Sequence, residues 1–474
     1  MKRYLTSAAS YILALGLFHL GATFFVRGSN LFLLEKTRAI AEAGFLALPN
    51  PVTQPALNSW EAALCGAMFF TVTSGAFALA GALVAPFLYR QRILSRKTAT
   101  GLHGIFLVGC LLSLGIRSET SPLLLGTIGA YLVLLPKGTK TTEPRLKPFL
   151  FHTLIPLALA LCIAGTHMVL PRGLFSGFRD AFLFDNPAGN AVRHFYYTYT
   201  LFPAEAFKAM SQKSQLTLTL EGESPEALSA IRRLGHLPLP LPGGPTDYTL
   251  KPQRDTVTFE KSGATHTVAA RDFFRKPVKA FRAFSAMADP FGPLRSLTWF
   301  SLFTAFPLLF YLLFHTSVTL ALGFFLPLPT ATRVATMTVA SCALLFVALL
   351  AVGLSLPDST TRALDALSRT KTQKTTAGEV ISRAAAHPST LVRYRAALAA
   401  PRIRDPRLRR HTLTTLSRDP DTNVVCQALG AMGQTKDSTY LIPLGEAVRT
   451  RPEWYVQWYG YRAMGRLGWH QNPK

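Results

Sequence analysis

The string Arg193-His194-Phe195-Tyr196-Tyr197-Thr198-Tyr199-Thr200, followed by Leu201-Phe202-Pro203-Ala204-Glu205, packs the most chemistry into the fewest residues. Arg193, His194, Tyr196, Tyr197, Tyr199 and Glu205 supply a cation, an imidazole, three phenols and a carboxylate. Such a set could grip a lipid headgroup, a glycan or a quinone. Tyrosine also simply populates membrane interfaces, where its ring is apolar and its hydroxyl wet.

Histidine supplies the next pattern. His19, His103, His152, His167 and His315 all fall in or at the edges of apolar stretches. His152 and His167 are 15 residues apart, about 22 Å along one helix. Two b-type haems would fit such a separation, but bis-histidine ligation normally repeats the pair on a second helix, and no other stretch does so. Haem is therefore a remote alternative, and no cofactor is expected. A phosphate-cradling glycine loop, HExxH, GxSxG and a paired-carboxylate constellation are all missing. The five cysteines form no CxxC, which leaves neither a disulfide framework nor a thiolate metal site. Neither catalytic residues nor metal ligands are assigned.

These residues must be positioned by an apolar framework. Hydrophobic residues make up 49% and charged residues 16%, against roughly 25% charged in soluble domains. Mean hydropathy is +0.24. A bilayer core needs about 20 apolar residues per helix. Spans are expected near 5–26, 60–89, 99–116, 121–136, 148–170, 297–325 and 332–356, about seven in all. Residues 30–48 carry Glu35, Lys36, Arg38 and Glu42, a spacing that predicts a surface-lying amphipathic helix. The first span, led by Lys2 and Arg3, lacks a clear small-x-small cleavage site and is expected to stay as an anchor. Acids are nearly absent from the spans, which argues against a proton-driven transporter.

The net charge of +25 is concentrated partly in short loops. Arg90, Arg92, Arg96 and Lys97 stand together without an acid. Lys137, Lys140, Arg145 and Lys147 stand with one. Both loops read as cytoplasmic by the positive-inside rule, which puts the insert at 171–296 on the outer face. Seven spans put residues 357–474 outside as well, whereas Arg362, Arg369, Lys371 and Lys374 pull the other way; the span count is followed. The expected setting is a bacterial inner membrane.

Within the insert, Leu216–Leu220 alternates Leu and Thr as a strand does. Ser224 and Pro225 open a helix through Arg233, and Gly235 stops it. A Pro/Gly loop covers 238–245. Tyr248–Leu250, Thr256–Glu260 and Thr265–Ala269 read as strands, the last two joined by a turn at Ser262-Gly263. The flanking stretches Gly173–Phe184 and Arg271–Phe284 interleave Phe with Arg and Lys. They suit helices at lipid headgroups or ordinary packing against the span ends.

The C-terminal part repeats. Pro388, Pro420 and Pro452 are 32 apart, as are Val392, Val424 and Val456, and Ala399, Ala431 and Ala463. Asp405 and Asp437 share that period. The strings His387-Pro388…Val392-Arg393, Asp419-Pro420…Val424 and Arg451-Pro452…Val456 resemble HEAT-type α-solenoid repeats over about 376–470. They depart from the common pattern in Val425 and Gln457, where an Arg often follows the Val. The resemblance implies stacked helix pairs that bury an apolar face only against their neighbours and present a surface to a partner. Two surface features could serve as docking sites. One is the basic cluster Arg402, Arg404, Arg407, Arg409 and Arg410, which is otherwise a solvated face. The other is the aromatic crowd of the last repeat, with Trp454 and Trp458.

The expected architecture is mainly α: a polytopic helical membrane protein with a small α+β extracytoplasmic insert and a C-terminal α-solenoid. Its parts are membrane residues 1–170, the insert 171–296, two further spans within 297–356, a linker 357–375 and the repeats 376–474. The expected role is a non-catalytic membrane scaffold or accessory subunit in an envelope assembly or transport complex. It would meet membrane lipids, and protein partners through the repeats and the insert, but not nucleic acid. The alternative is a membrane enzyme or carrier for a lipid-like substrate.

Overall fold

The computed structural model describes the chain apart from residues 1, 73, 91–93, 116–119, 136–186, 200–204, 206–207, 223, 240–244, 301–305, 356–358, 372–376 and 472–474. The chain divides into two compact units. The first comprises Met1–Gly28, Ala63–Phe178 and Phe291–Leu356; the second comprises Ser29–Ala62, Arg179–Pro290 and Pro357–Lys474.

The first unit is helical where it is described. It holds the first part of α1 (Lys2–Glu42), then helices including Ser74–Arg90, Arg96–Leu114, Ser121–Val133, Phe306–Leu322 and Leu328–Ser355. α1 crosses Ser121–Val133 at a pair of glycines, since a Cβ on Gly126 would lie 2.8 Å from the Leu17 carbonyl oxygen. Large apolar side chains point outward from these helices, among them Ile105, Leu112, Leu125, Met337 and Leu344. Among the described residues one helical stretch, Ile12–Glu42, is both long and apolar enough to cross a membrane. The stretches expected at 121–136 and 297–325 contain helices of 13 and 17 residues, and the one at 148–170 lies outside the described residues, as does Gly173–Phe184.

The second unit opens with the end of α1. The surface-lying helix expected at 30–48 is instead a continuation of α1 through Glu42, with Lys36 and Thr37 buried. Lys36 goes inside because a carboxylate waits for it there, as described below.

The α+β part follows the sequence closely, with one addition. Its sheet has the order β2-β1-β3-β4-β5, from β1 (Thr217–Leu220), β2 (Leu237–Pro238), β3 (Tyr248–Pro252), β4 (Thr256–Lys261) and β5 (Ala264–Ala269). β2 falls at the start of the expected Pro/Gly loop and pairs parallel to β1. α3 (Pro225–Leu234) follows β1, with α2 (Pro187–Tyr199) lying earlier in the chain. Ser224 caps α3 by accepting from the Ala227 N–H, and Gly235 ends it at a φ of +70°. The β4–β5 turn places Ser262 and Gly263 at positive φ, as its Ser-Gly pair predicts.

The helices that follow, α4 (Ala270–Arg275) and α5 (Pro277–Met287), correct the headgroup reading of Arg271–Phe284. Phe273, Phe281 and Phe284 are buried with Leu218, Leu250, Val257 and Phe259. The Phe residues recur at helical spacing because one face of each helix covers the sheet, while Arg275, Lys279 and Arg282 lie on the opposite side.

The solenoid begins with α6 (Ser359–Arg369) and continues as helix pairs. These are α7 (Ala377–Ala385) with α8 (Thr390–Ala399), α9 (Pro406–Leu416) with α10 (Thr422–Met432), and α11 (Leu441–Thr450) with α12 (Trp454–Arg466). Val392, Val424 and Val456 are all fully buried, and Ala399, Ala431 and Ala463 nearly so. The small residues let neighbouring pairs close up: a Cβ on Gly433 would stand 2.7 Å from Ala463 Cα. Asp405 caps α9 and Asp421 caps α10, each accepting from a backbone N–H two residues on.

Candidate functional site

The side chains singled out at 193–205 turn toward the solenoid. Arg193, on α2 and 7% exposed, pairs with Asp421 at 2.8 Å. Tyr197 donates its hydroxyl to the Asn423 side-chain oxygen, and its ring meets Tyr455 edge-on at 4.7 Å. Tyr199 donates to Glu61. Glu205 holds Lys208 at 2.7 Å, and Lys208 in turn lies 4.4 Å over the Trp458 ring, with Arg462 at 4.6 Å. His194 is exposed, and the Tyr196 side chain lies outside the described part. The Arg, two tyrosines and the Glu thus come together as a seam along α10 and α12.

A second part of the seam was not foreseen. Residues 43–58 run as a strap over the last repeat, held by single polar side chains. Asn50 is fully buried; its Nδ2 donates to the carbonyls of Val448, Arg449 and Arg451 at 3.0–3.1 Å. Those are carbonyls at the C-terminal end of α11, which a helix leaves without partners. The Asn50 N–H donates to Gln457 Oε1 at 2.9 Å, while Gln457 Nε2 donates to Thr53 Oγ1 and the Arg451 carbonyl, both at 2.7 Å. Leu34, Leu48, Leu57 and Ala62 join the solenoid's own apolar cluster.

Gln457 explains its departure from the repeat pattern. In the first pair the equivalent Arg393 reaches forward to Asp419 at 2.7 Å and donates to the His387 and Pro388 carbonyls. The strap presents an N–H at the corresponding place in the last pair. An amide can accept it, whereas a guanidinium has only donors.

The strap also reaches the sheet. Gln215 Oε1 accepts from the Leu48 N–H at 2.8 Å, and its Nε2 donates to the Leu46 carbonyl. Beside it, Lys36 meets Asp247 at 2.5 Å and donates to the Gln215 carbonyl. Lys213 stands 3.2 Å from the other oxygen of Asp247. Burial would raise the Asp247 carboxyl, but Lys36 and Lys213 hold it well below the usual carboxylate range. Nearby, burial pushes His236 down to about 3; the neutral ring bonds the Tyr248 hydroxyl at 2.8 Å. The cluster joins α1 to the strands.

The basic cluster divides. Arg402 donates to Thr370, Arg409 to the Ile403 carbonyl, and Arg410 to Thr439 beside Asp437. Arg404 and Arg407 are exposed, as is His411. A shallow groove of about 440 Å³ is lined by Pro406, Arg407, Arg410, His411 and Thr414. Trp454 is 3% exposed, so it belongs to the core.

The described histidines of the first unit each have a local partner. His19 bonds Thr71 at 3.0 Å, His103 the Tyr131 carbonyl at 2.8 Å, and His315 Thr336 at 3.0 Å. His152 and His167 lie outside the described residues. Among the described residues no three His, Cys, Asp or Glu side chains gather as metal ligands do.

The family model for HEAT repeats matches residues 378–465, so the C-terminal region is built of HEAT-type repeats. No curated protein and no solved structure matches the chain.

Proposed function

We propose that this chain is a membrane-held, non-catalytic scaffold or accessory subunit, which recruits protein partners through its HEAT repeats within a bacterial envelope assembly or transport complex. One observation carries the reading. Arg193, Tyr197, Tyr199 and Glu205 are engaged within the protein, while α9 presents an exposed arginine face.

The membrane part of the proposal draws on α1 and on the outward apolar side chains of the first unit. At 41 residues α1 is about 60 Å long, twice the hydrocarbon thickness of a bilayer. Its apolar beginning is enough to span, and its charged end is left to join the second unit. Exposed Ile, Leu and Met side chains on several of these helices suit lipid rather than water. With about seven spans, residues 29–62, 179–290 and 357–474 all fall on one side, opposite Lys2 and Arg3. That these three segments fold into one unit supports their sharing a side. The basic loops make it the outer side.

Affinity purification in mild detergent tests the role. A stoichiometric protein partner supports it; a lone chain carrying bound lipid overturns it in favour of a lipid carrier. The sidedness is read by impermeant thiol labelling of single cysteines at the exposed positions Val52, Val192 and Ile442. All three should label from one side, and a split among them overturns the shared face.

A further inference from the structure

The two layers of the solenoid differ in what covers them. The layer of α8, α10 and α12 receives α2: Arg193 sits on Asp421, Tyr197 on Asn423 and Tyr455. On the layer of α7, α9 and α11 the strap meets the C-terminal end of α11 through Asn50, and the middle helix carries the groove lined by Arg407, Arg410 and His411.

Charge on this layer is unbalanced. Asp405 is engaged as the cap of α9 and Asp437 caps the turn before α11 while facing Arg410. Glu379 and Glu446 are exposed on the flanking helices. Against them stand Arg404, Arg407 and Arg418, exposed and with their guanidiniums outside the solenoid's hydrogen bonds, together with Arg410 and His411. Just beyond Thr439, which holds Arg410 at 2.9 Å, comes Ile442, 80% exposed at the start of α11. A guanidinium presents a planar fork matched to carboxylates, and an exposed isoleucine beside it asks for an apolar partner.

We propose that the α9 groove lined by Arg407, Arg410 and His411, with exposed Arg404 just before α9 and exposed Ile442 at the start of α11, docks an acidic segment of another protein that also carries an apolar residue. The inference rests on the scaffold reading and names the chemistry of its partner. A protein segment suits the site better than the other polyanions. An 11-residue helix gives a patch about 16 Å long, short for a duplex that would need several phosphate contacts in line. The concave groove and Ile442 match side chains better than a flat headgroup layer.

The test uses the full chain in detergent and a fluorescein-labelled peptide rich in glutamate with interspersed leucines. Fluorescence anisotropy should show saturable binding that weakens as salt rises, since the contacts are exposed charges. Arg404→Glu with Arg407→Glu should weaken it by about tenfold or more with unchanged melting, because both side chains are exposed. Ile442→Ser should weaken it independently, as a loss of apolar contact without a change of charge. Absence of binding overturns the proposal, as does binding indifferent to both variants. So does tighter, Arg404/Arg407-dependent binding to phosphatidylglycerol vesicles or to a DNA duplex. The scaffold reading fails separately: a partner captured equally by wild type and the arginine variant removes this groove and leaves the scaffold standing.

Discussion

The middle of the solenoid and its last repeat are held by different forces. In the first two pairs, Val392 and Val424 lie in an apolar stack where each helix pair supplies what its neighbour lacks. At the third pair the strap adds to that stack. Its apolar residues Leu48 and Leu57 join the same cluster, while Asn50 and Gln457 satisfy backbone groups at the end of α11 and in the strap. The face of a solenoid repeat needs cover, and here it comes from a segment about 400 residues upstream. Apolar stacking tolerates repetition; the cap needs individual donors and acceptors in one arrangement.

The comparison can be broken most forcefully in the stack. Val424→Asp puts an unpaired charge among fully buried side chains and should cost more than about 5 kcal/mol, unfolding the repeats. Loss of helical circular dichroism at ambient temperature is the expected readout. Unchanged melting would mean that the register of the repeat is wrong.

Next in size comes the charged junction. Lys36→Met leaves Asp247 buried with less compensation, for an expected loss of about 3–5 kcal/mol. Adding Asp247→Asn removes the stranded charge and should restore part of that stability in denaturant titrations. If the double variant is no better than the single one, Lys36 acts through packing alone.

A smaller effect belongs to the cap itself. Asn50→Ala and Gln457→Ala should each cost about 2–3 kcal/mol, because the first leaves buried carbonyls without a donor and the second leaves the Asn50 N–H without its acceptor. Because both hold the same strap, the two should cost less together than the sum of the singles, since one loss loosens what the other secures. Strict additivity in a double-mutant cycle would show that the strap is held elsewhere. The isolated stretch 376–470 should accordingly melt below the same repeats in the full chain.

The gentlest probe is pH. His236 is held neutral with a pKa near 3, against 6.5 when unfolded. The unfolded chain therefore gains a proton first as pH falls. The contribution of His236 is complete above pH 6.5 and is lost progressively as pH falls from there towards 3. His236→Asn should flatten that slope; an unaltered slope would assign it to other groups.

The stack and the cap also differ in how readable they were. The period of 32 stood out because Pro, Val and Ala each recur for a repeated packing reason. The strands of the insert were readable from the Leu/Thr alternation of 216–220 and the Ser262-Gly263 turn. β2 was hidden because two residues beside prolines carry no alternation. Lys36, Asn50, Gln215 and Asp247 were hidden because the partners that join them across the fold are between 167 and 407 residues away along the chain, where spacing says nothing. The Arg193–Glu205 string stood out as a candidate ligand contact by its residue types, but an intramolecular seam and a ligand site use the same ones. One signal for the cap was present: Gln457 broke a pattern that its neighbours kept.

The strap has a consequence for how the protein is made. Asn50 leaves the ribosome about 400 residues before Gln457, so the strap must wait, with its apolar residues uncovered, through synthesis of everything between. Contacts of such sequence separation form late and slowly, and exposed apolar segments are what chaperones and proteases act on. A chain halted before α12 would carry a strap with nothing to cap. Arrival of α12 is thus the event that lets Asn50 and the apolar residues of the strap be buried.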